Sequence, residues 1–124
     1  MIRVIVCGGR HCVEQEVVDG ALDRVLRKHP GFVLIHGGTQ GAALLASLWA
    51  ASRSVATECH PAATKGDHDE NEARRNQYML ELGTDAVVAF PGEGGTADMV
   101  RRAEAAGVPV WRVGWDGSDA PLIR

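Results

Sequence analysis

DAVVAFPGEGGTADMVRRA, residues 85 to 103, decides the fold. An apolar run, Ala86 to Phe90, breaks at Pro91. Gly92, Gly94, Gly95 and Thr96 follow, and a helical pattern runs from Ala97 to Ala106, with Gly107 at its end. A short apolar run, a glycine turn and a helix make one βα unit. The run is apolar at nearly every position, which suits a strand covered on both faces. Thr96 stands just before the helix, where a hydroxyl can cap it.

The same unit recurs upstream. Ile2 to Cys7 is a strand ending at Gly8-Gly9. Val17, Val18, Ala21, Leu22, Val25 and Leu26 then form one helical stripe, stopped by Pro30-Gly31. Phe32 to Ile35 is a second strand, running into HGGTQG at 36–41 and a third element, Ala42 to Ala51, that is apolar almost all round. Val55 to Cys59 reads as a third strand, and HPAATKGDHDEN at 60–71 as a loop. Glu72 to Leu82 is a helix stopped by Gly83, and Val108 to Val113 is a last strand. The alternation specifies an α/β fold: a Rossmann-like, doubly wound parallel sheet of about five strands with helices on both faces. The whole chain, 1–124, is read as a single domain.

Three strands end in glycine-rich turns: CGGR, HGGTQG and FPGEGGT. In a sheet of order 3-2-1-4-5 these turns share the carboxyl edge, and the first and last face each other at the switch in strand order, where such sheets bind ligands. The ligand-binding candidates are Gly8, Gly9 and Arg10 in the first turn, with Gly37, Gly38, Thr39 and Gly41 in the second. The turn after the fourth strand adds Pro91, Gly92, Glu93, Gly94, Gly95 and Thr96. Successive backbone N–H groups leading into a helix suit a phosphate or carboxylate. Glu93 is either a solvated turn residue or a carboxylate reaching into the crevice towards a hydroxyl or an amine. Arg75 continues the stripe of Tyr78, Met79 and Leu82 and is expected to project into the crevice, with Asn76 beside it. Neither G-x-G-x-x-G nor G-x-x-x-x-G-K-[ST] occurs, which argues against an ordinary NAD site or an ATPase loop.

A formal net charge of −3 and the lack of an aromatic-basic surface disfavour nucleic acid as a partner. Cys7, Cys12 and Cys59 have no paired spacing, so a cytoplasmic setting is expected rather than a disulfide framework. No apolar stretch approaches a membrane span or a secretory leader. Cys59, His60, His68 and Asp69 fit no standard metal spacing, and no metal or cofactor is expected.

VIVCGGR, IHGGTQGA, the WA of the third element, RNQYM and AFPGEGGTADMVRRA together resemble the SLOG superfamily, in particular its YspA-like, cpYpsA-related branch. That superfamily includes the LOG-type nucleoside-monophosphate phosphoribohydrolases, the molybdenum-cofactor carrier proteins and DprA. The resemblance spans residues 2 to 113 and implies binding of a nucleotide or nucleotide-derived molecule, as a sensor or carrier. The alternative it implies is a LOG-like hydrolase that cleaves the N-glycosidic bond of a nucleoside monophosphate. LOG enzymes use an Arg in R-K-x-x-M, matched by Arg75 and Met79 with Asn76 in place of Lys, and a Glu closing P-G-G-x-G-T-x-x-E. Here Met99 holds that Glu position, and Asp98 lies about 100° away around the helix. The departure favours binding over hydrolysis.

A homodimer or larger homo-oligomer is expected through AALLASLWAASR, residues 42–53. A helix covering one sheet face needs a single apolar stripe. Here Leu44, Leu45, Leu48 and Trp49 fill one side, while five alanines leave little polar surface on the other and would let paired helices approach closely. Resemblance to the LOG proteins implies the same assembly.

Overall fold

The computed structural model describes residues 1–11, 14–92 and 94–115. Five parallel strands form one sheet in the order β3-β2-β1-β4-β5. The strands are β1 (Arg3–Cys7), β2 (Val33–His36), β3 (Thr57–Cys59), β4 (Ala86–Ala89) and β5 (Val110–Arg112). Four helices connect them: α1 (Gln15–Lys28), α2 (Ala42–Arg53), α3 (His68–Glu81) and α4 (Gly95–Ala105). The expected order and class are what the chain adopts.

Alternate strand residues feed two cores. Val4, Val6, Leu34 and Val88 pack with α1 and α2, whereas Ile5, Ile35 and Val87 pack with Met79 of α3 and with Met99 and Ala103 of α4. Both faces are therefore dry, which is why the strands read as continuous apolar runs. Trp49 anchors the first core. Its ring stacks on Phe32 with centroids 5.9 Å apart, and its Nε1–H donates to Asp23 at 2.9 Å. At the β3 edge Arg3 grips Glu58 with both terminal nitrogens. Hydrogen bonds from Arg3 and His60 hold the Glu58 carboxyl down to about 2.

Three expectations change. Helix α3 starts at His68, four residues before the expected start, because Asp67 caps it by accepting the Glu70 N–H at 2.9 Å. Asp67 with Glu70 three residues on was the legible signal. Thr96 is not the cap of α4. Gly94, at φ +54°, takes that place without a side-chain bond, and Thr96 lies buried inside the first turn. In α2 the alanines and the leucines exchange sides. Ala42, Ala43, Ala46 and Ala50 face inward with Trp49, while Leu44 and Leu48 face outward. The small side chains let α2 lie close to the sheet beside Trp49; Leu45 packs at the margin of that core, and Leu44 and Leu48 are left outside.

Candidate functional site

The carboxyl edge of the sheet opens into a crevice of about 420 Å³. Its floor is Val6 and Cys7, at the end of β1. Gly8, Gly9 and Arg10 form one wall, Gly37, Thr39 and Gln40 a second, and Gly94, Gly95 and Thr96 a third. Helix α3 closes the remaining side with His68, Asp69, Glu72, Arg75, Asn76 and Met79. The three glycine turns thus meet at the switch between β1 and β4. Glu93 lies outside the described residues, as does Cys12.

Gly38, Gly41, Pro91 and Gly92 stand behind this lining, and their neighbours explain their glycines. A methyl on Gly41 would fall 2.1 Å from the Gly9 carbonyl oxygen and 2.7 Å from the Arg10 Cα. One on Gly92 would fall 2.4 Å from the Gly9 nitrogen. The turns touch backbone to backbone: the Gly9 N–H donates to Pro91 O at 2.8 Å, and the Ala42 N–H to Gly9 O at 3.3 Å. Close approach at these positions is chain against chain, and it builds the wall that Gly94, Gly95 and Thr96 continue.

Arg75 reaches the crevice, but most of its donors are engaged. Nη1 donates to Gly37 O at 2.9 Å and to His60 O at 3.5 Å, Nε donates to Asn76 Oδ1 at 3.0 Å, and Nη2 meets Glu72 Oε2 at 3.4 Å. Burial lowers the guanidinium pKa, and the Glu72 charge opposes that shift. Arg75 therefore ties the second turn to α3. Asn76 carries the tie onward, donating to Gly95 O and to Asp98 Oδ2, both at 3.0 Å. The buried stripe of α3 is thus Asn71, Arg75, Asn76 and Met79. Arg75 and Met79 share it as expected. Tyr78 and Leu82 do not: both are exposed, and Tyr78 stands edge-on to His60 with centroids 5.6 Å apart. Polar side chains can line this face because the turns around it supply their partners.

Arg10 is exposed and has no protein partner among the described residues. The Cys7 thiol is pushed up to about 12 by burial, so it remains protonated. His36 is held below its ordinary value by burial and by His60, and its Nδ1 accepts the Gly38 N–H at 3.1 Å. Met99 is fully buried in the core beneath α4. Burial pushes the neighbouring Asp98 carboxyl up. Hydrogen bonds from Asn76 and Arg102, with the charges of Arg102 and Arg101, outweigh this and hold it below the usual range.

Cys59 and His60 line a separate hollow on the far side of Arg75, with Pro61 and Tyr78, so they do not join His68 and Asp69. Among the described residues, His68, Asp69 and Glu72 bring ligand atoms within 4.8 Å of one another. Gln40, His68, Asp69 and Glu72 are polar lining residues outside the ligand-binding candidates of the sequence, and Glu72 stands one helical turn before Arg75.

The fold and this edge define a doubly wound α/β domain with an open crevice at the topological switch point. The chain belongs to the YspA, cpYpsA-related SLOG family, whose model matches residues 2–66. It is similar to the Gene 61 protein of Mycobacterium phage D29, 34% identical over 122 residues, covering 92% of this chain and 98% of that one. Among solved structures it resembles TM1055, a structural-genomics target, with a TM-score of 0.68 at 21% identity over 89% of this chain and 72% of that one. It also resembles MurG of Acinetobacter baumannii, with a TM-score of 0.60 at 12% identity over 92% of this chain and 35% of that one. At these identities the two structures support the fold alone. No helix among the described residues is long and apolar enough to cross a membrane.

Proposed function

We propose that the crevice binds a nucleotide or nucleotide-derived small molecule, and that the protein acts as a sensor or carrier rather than as a hydrolase. The observation that carries this is the switch-point crevice itself, lined by three backbone turns, with Arg10 as a cation unpaired among the described residues. Its volume falls within the range of small-molecule sites. The first amides of α4 have no side-chain cap, and the first N–H groups of any helix lack partners within it. Membership of the SLOG family and the likeness to Rossmann-like structures agree with this reading.

Against hydrolysis stands Met99. It lies where LOG enzymes carry a carboxylate and is buried away from the crevice. Asp98 does not replace it, because its oxygens are engaged by Asn76, Arg101 and Arg102. Thermal unfolding with a panel of nucleoside monophosphates, ADP-ribose and unphosphorylated nucleosides tests the proposal. At least one compound raises Tm; at a hundred times its Kd it adds about 2.7 kcal/mol of stability. Chromatography of the same mixtures then shows no free base. Absence of any shift across the panel overturns the binding reading, and release of base restores the hydrolase.

We further infer that two copies pair through the outer face of α2. Leu44 and Leu48 are one turn apart and 48% and 53% exposed, with Ser47 between them. A symmetric partner would cover both. Sedimentation at micromolar concentration is expected to give at least twice the chain mass of 13.2 kDa. The double variant Leu44→Glu, Leu48→Glu is expected to sediment as a folded monomer. A wild-type monomer, or a dimer indifferent to these changes, removes this interface.

A further inference from the structure

We propose that Glu72 determines what the crevice accepts. Its carboxylate guards the head of α4 against phosphate and receives hydrogen-bond donors of the ligand, a ribose diol, in its place. This rests on the nucleotide reading and assigns the two ends of the ligand within it.

The carboxylate lies flat on Gly95, the first residue of α4. A methyl there would stand 2.9 and 3.0 Å from its two oxygens. Glycine at 95 is thus what lets the carboxylate lie against the first turn of α4. Glu72 is only 18% exposed and is braced at both oxygens: Oε2 meets Arg75 Nη2 at 3.4 Å, and Oε1 meets His68 Nε2 at 3.2 Å. The Arg75 charge is therefore matched by the protein's own carboxylate. Asp69 adds a second negative group to the same side of the lining.

A phosphate on the first amides of α4 would stand beside the Glu72 carboxylate, and like charges at such a distance oppose each other strongly. A hydroxyl donor gains from the same carboxylate. Its two oxygens offer about four acceptor positions, of which the Arg75 hydrogen bond uses one, on Oε2. A vicinal diol can donate to both oxygens at once, as ribose does to acidic residues in other Rossmann-type sites. Arg10, across the crevice on the first turn, is left to take the phosphate.

Inorganic phosphate is the direct probe, titrated into the full chain by calorimetry at low ionic strength. Wild type is expected to bind it weakly and Glu72→Gln at least tenfold more tightly, about 1.4 kcal/mol. Glu72→Ser, a second neutral variant, is expected to match Glu72→Gln and serves if that variant folds poorly. Glu70→Gln removes the same charge from an exposed position on α3 and is expected to behave as wild type. Equal affinity in all variants, including no binding by any, overturns the guard, as does an equal gain in Glu70→Gln.

The second arm compares the four ribonucleosides with their 2′,3′-dideoxy counterparts. Wild type is expected to favour at least one ribonucleoside tenfold, and Glu72→Gln to lose that preference. No preference in wild type, or one that survives the substitution, overturns the diol assignment. The phosphate arm does not depend on any nucleotide binding to wild type. A gain there with no shift across the nucleotide panel leaves the guard standing while the functional reading fails. Nucleotide binding unchanged by Glu72→Gln does the reverse.

Discussion

Gly41→Ala leaves little folded protein at physiological temperature. Gly41 lies at φ +83° and ψ −130°, a conformation that side chains with a Cβ rarely adopt. That strain alone costs about 1–3 kcal/mol. The added methyl would also stand 2.1 Å from Gly9 O and 2.7 Å from both Cα and O of Arg10, all backbone atoms that cannot rotate away. Relief requires the first turn to move. That turn is fixed from the other side by the Gly9 bond to Pro91 O at 2.8 Å and by the packing of Gly92 on Gly9. The combined loss is expected to exceed about 4 kcal/mol, a large part of the stability of an ordinary domain. Urea unfolding measures it. Gly20→Ala is the matching control: it lies within α1 with nothing within 4 Å of the new methyl, and it is expected to stabilise by up to about 1 kcal/mol. If the two alanines have similar effects, the turns are not packed as described.

Arg75→Ala is expected to cost about 3–5 kcal/mol, the range for removing one partner of a buried charge pair. It would strand Gly37 O and the Asn76 amide oxygen and leave the Glu72 carboxylate without its guanidinium. Arg74→Ala, one residue away, removes a side chain that is 74% exposed and pairs with Glu70 at 3.6 Å. Its expected effect is within about 0.5 kcal/mol. Arg75→Lys should recover part of the loss, since one ammonium cannot serve acceptors on both Gly37 and Asn76 in the planar arrangement of a guanidinium. Equal effects at 74 and 75 would remove the tie between α3 and the second turn.

Much of this architecture is written locally. Residues 85–103 carry strand, turn and helix in a row, and the apolar runs at 2–7 and 32–35 repeat the pattern, so the parallel sheet and its order follow from connection rules. The meeting of the glycine turns follows too, because the strand order sets which carboxyl ends are neighbours. The inward side of Arg75 was also legible, from its spacing to Met79.

Tertiary structure alone decided three things, each a matter of contact between residues far apart in sequence. In α2 both sides are apolar, so hydropathy could not say which faces the sheet. The choice fell to volume, with alanines and Trp49 filling a narrow gap and Leu44 and Leu48 left outside. The glycines divided into those that admit the chain itself, such as Gly41 and Gly92, and those that line the crevice, and only the neighbours of each position tell the two apart. In the sequence Glu72 is only the first residue of the expected helix. Its importance arises because α3 and α4 pack side by side and bring it against Gly95, and no periodicity records a contact between two helices.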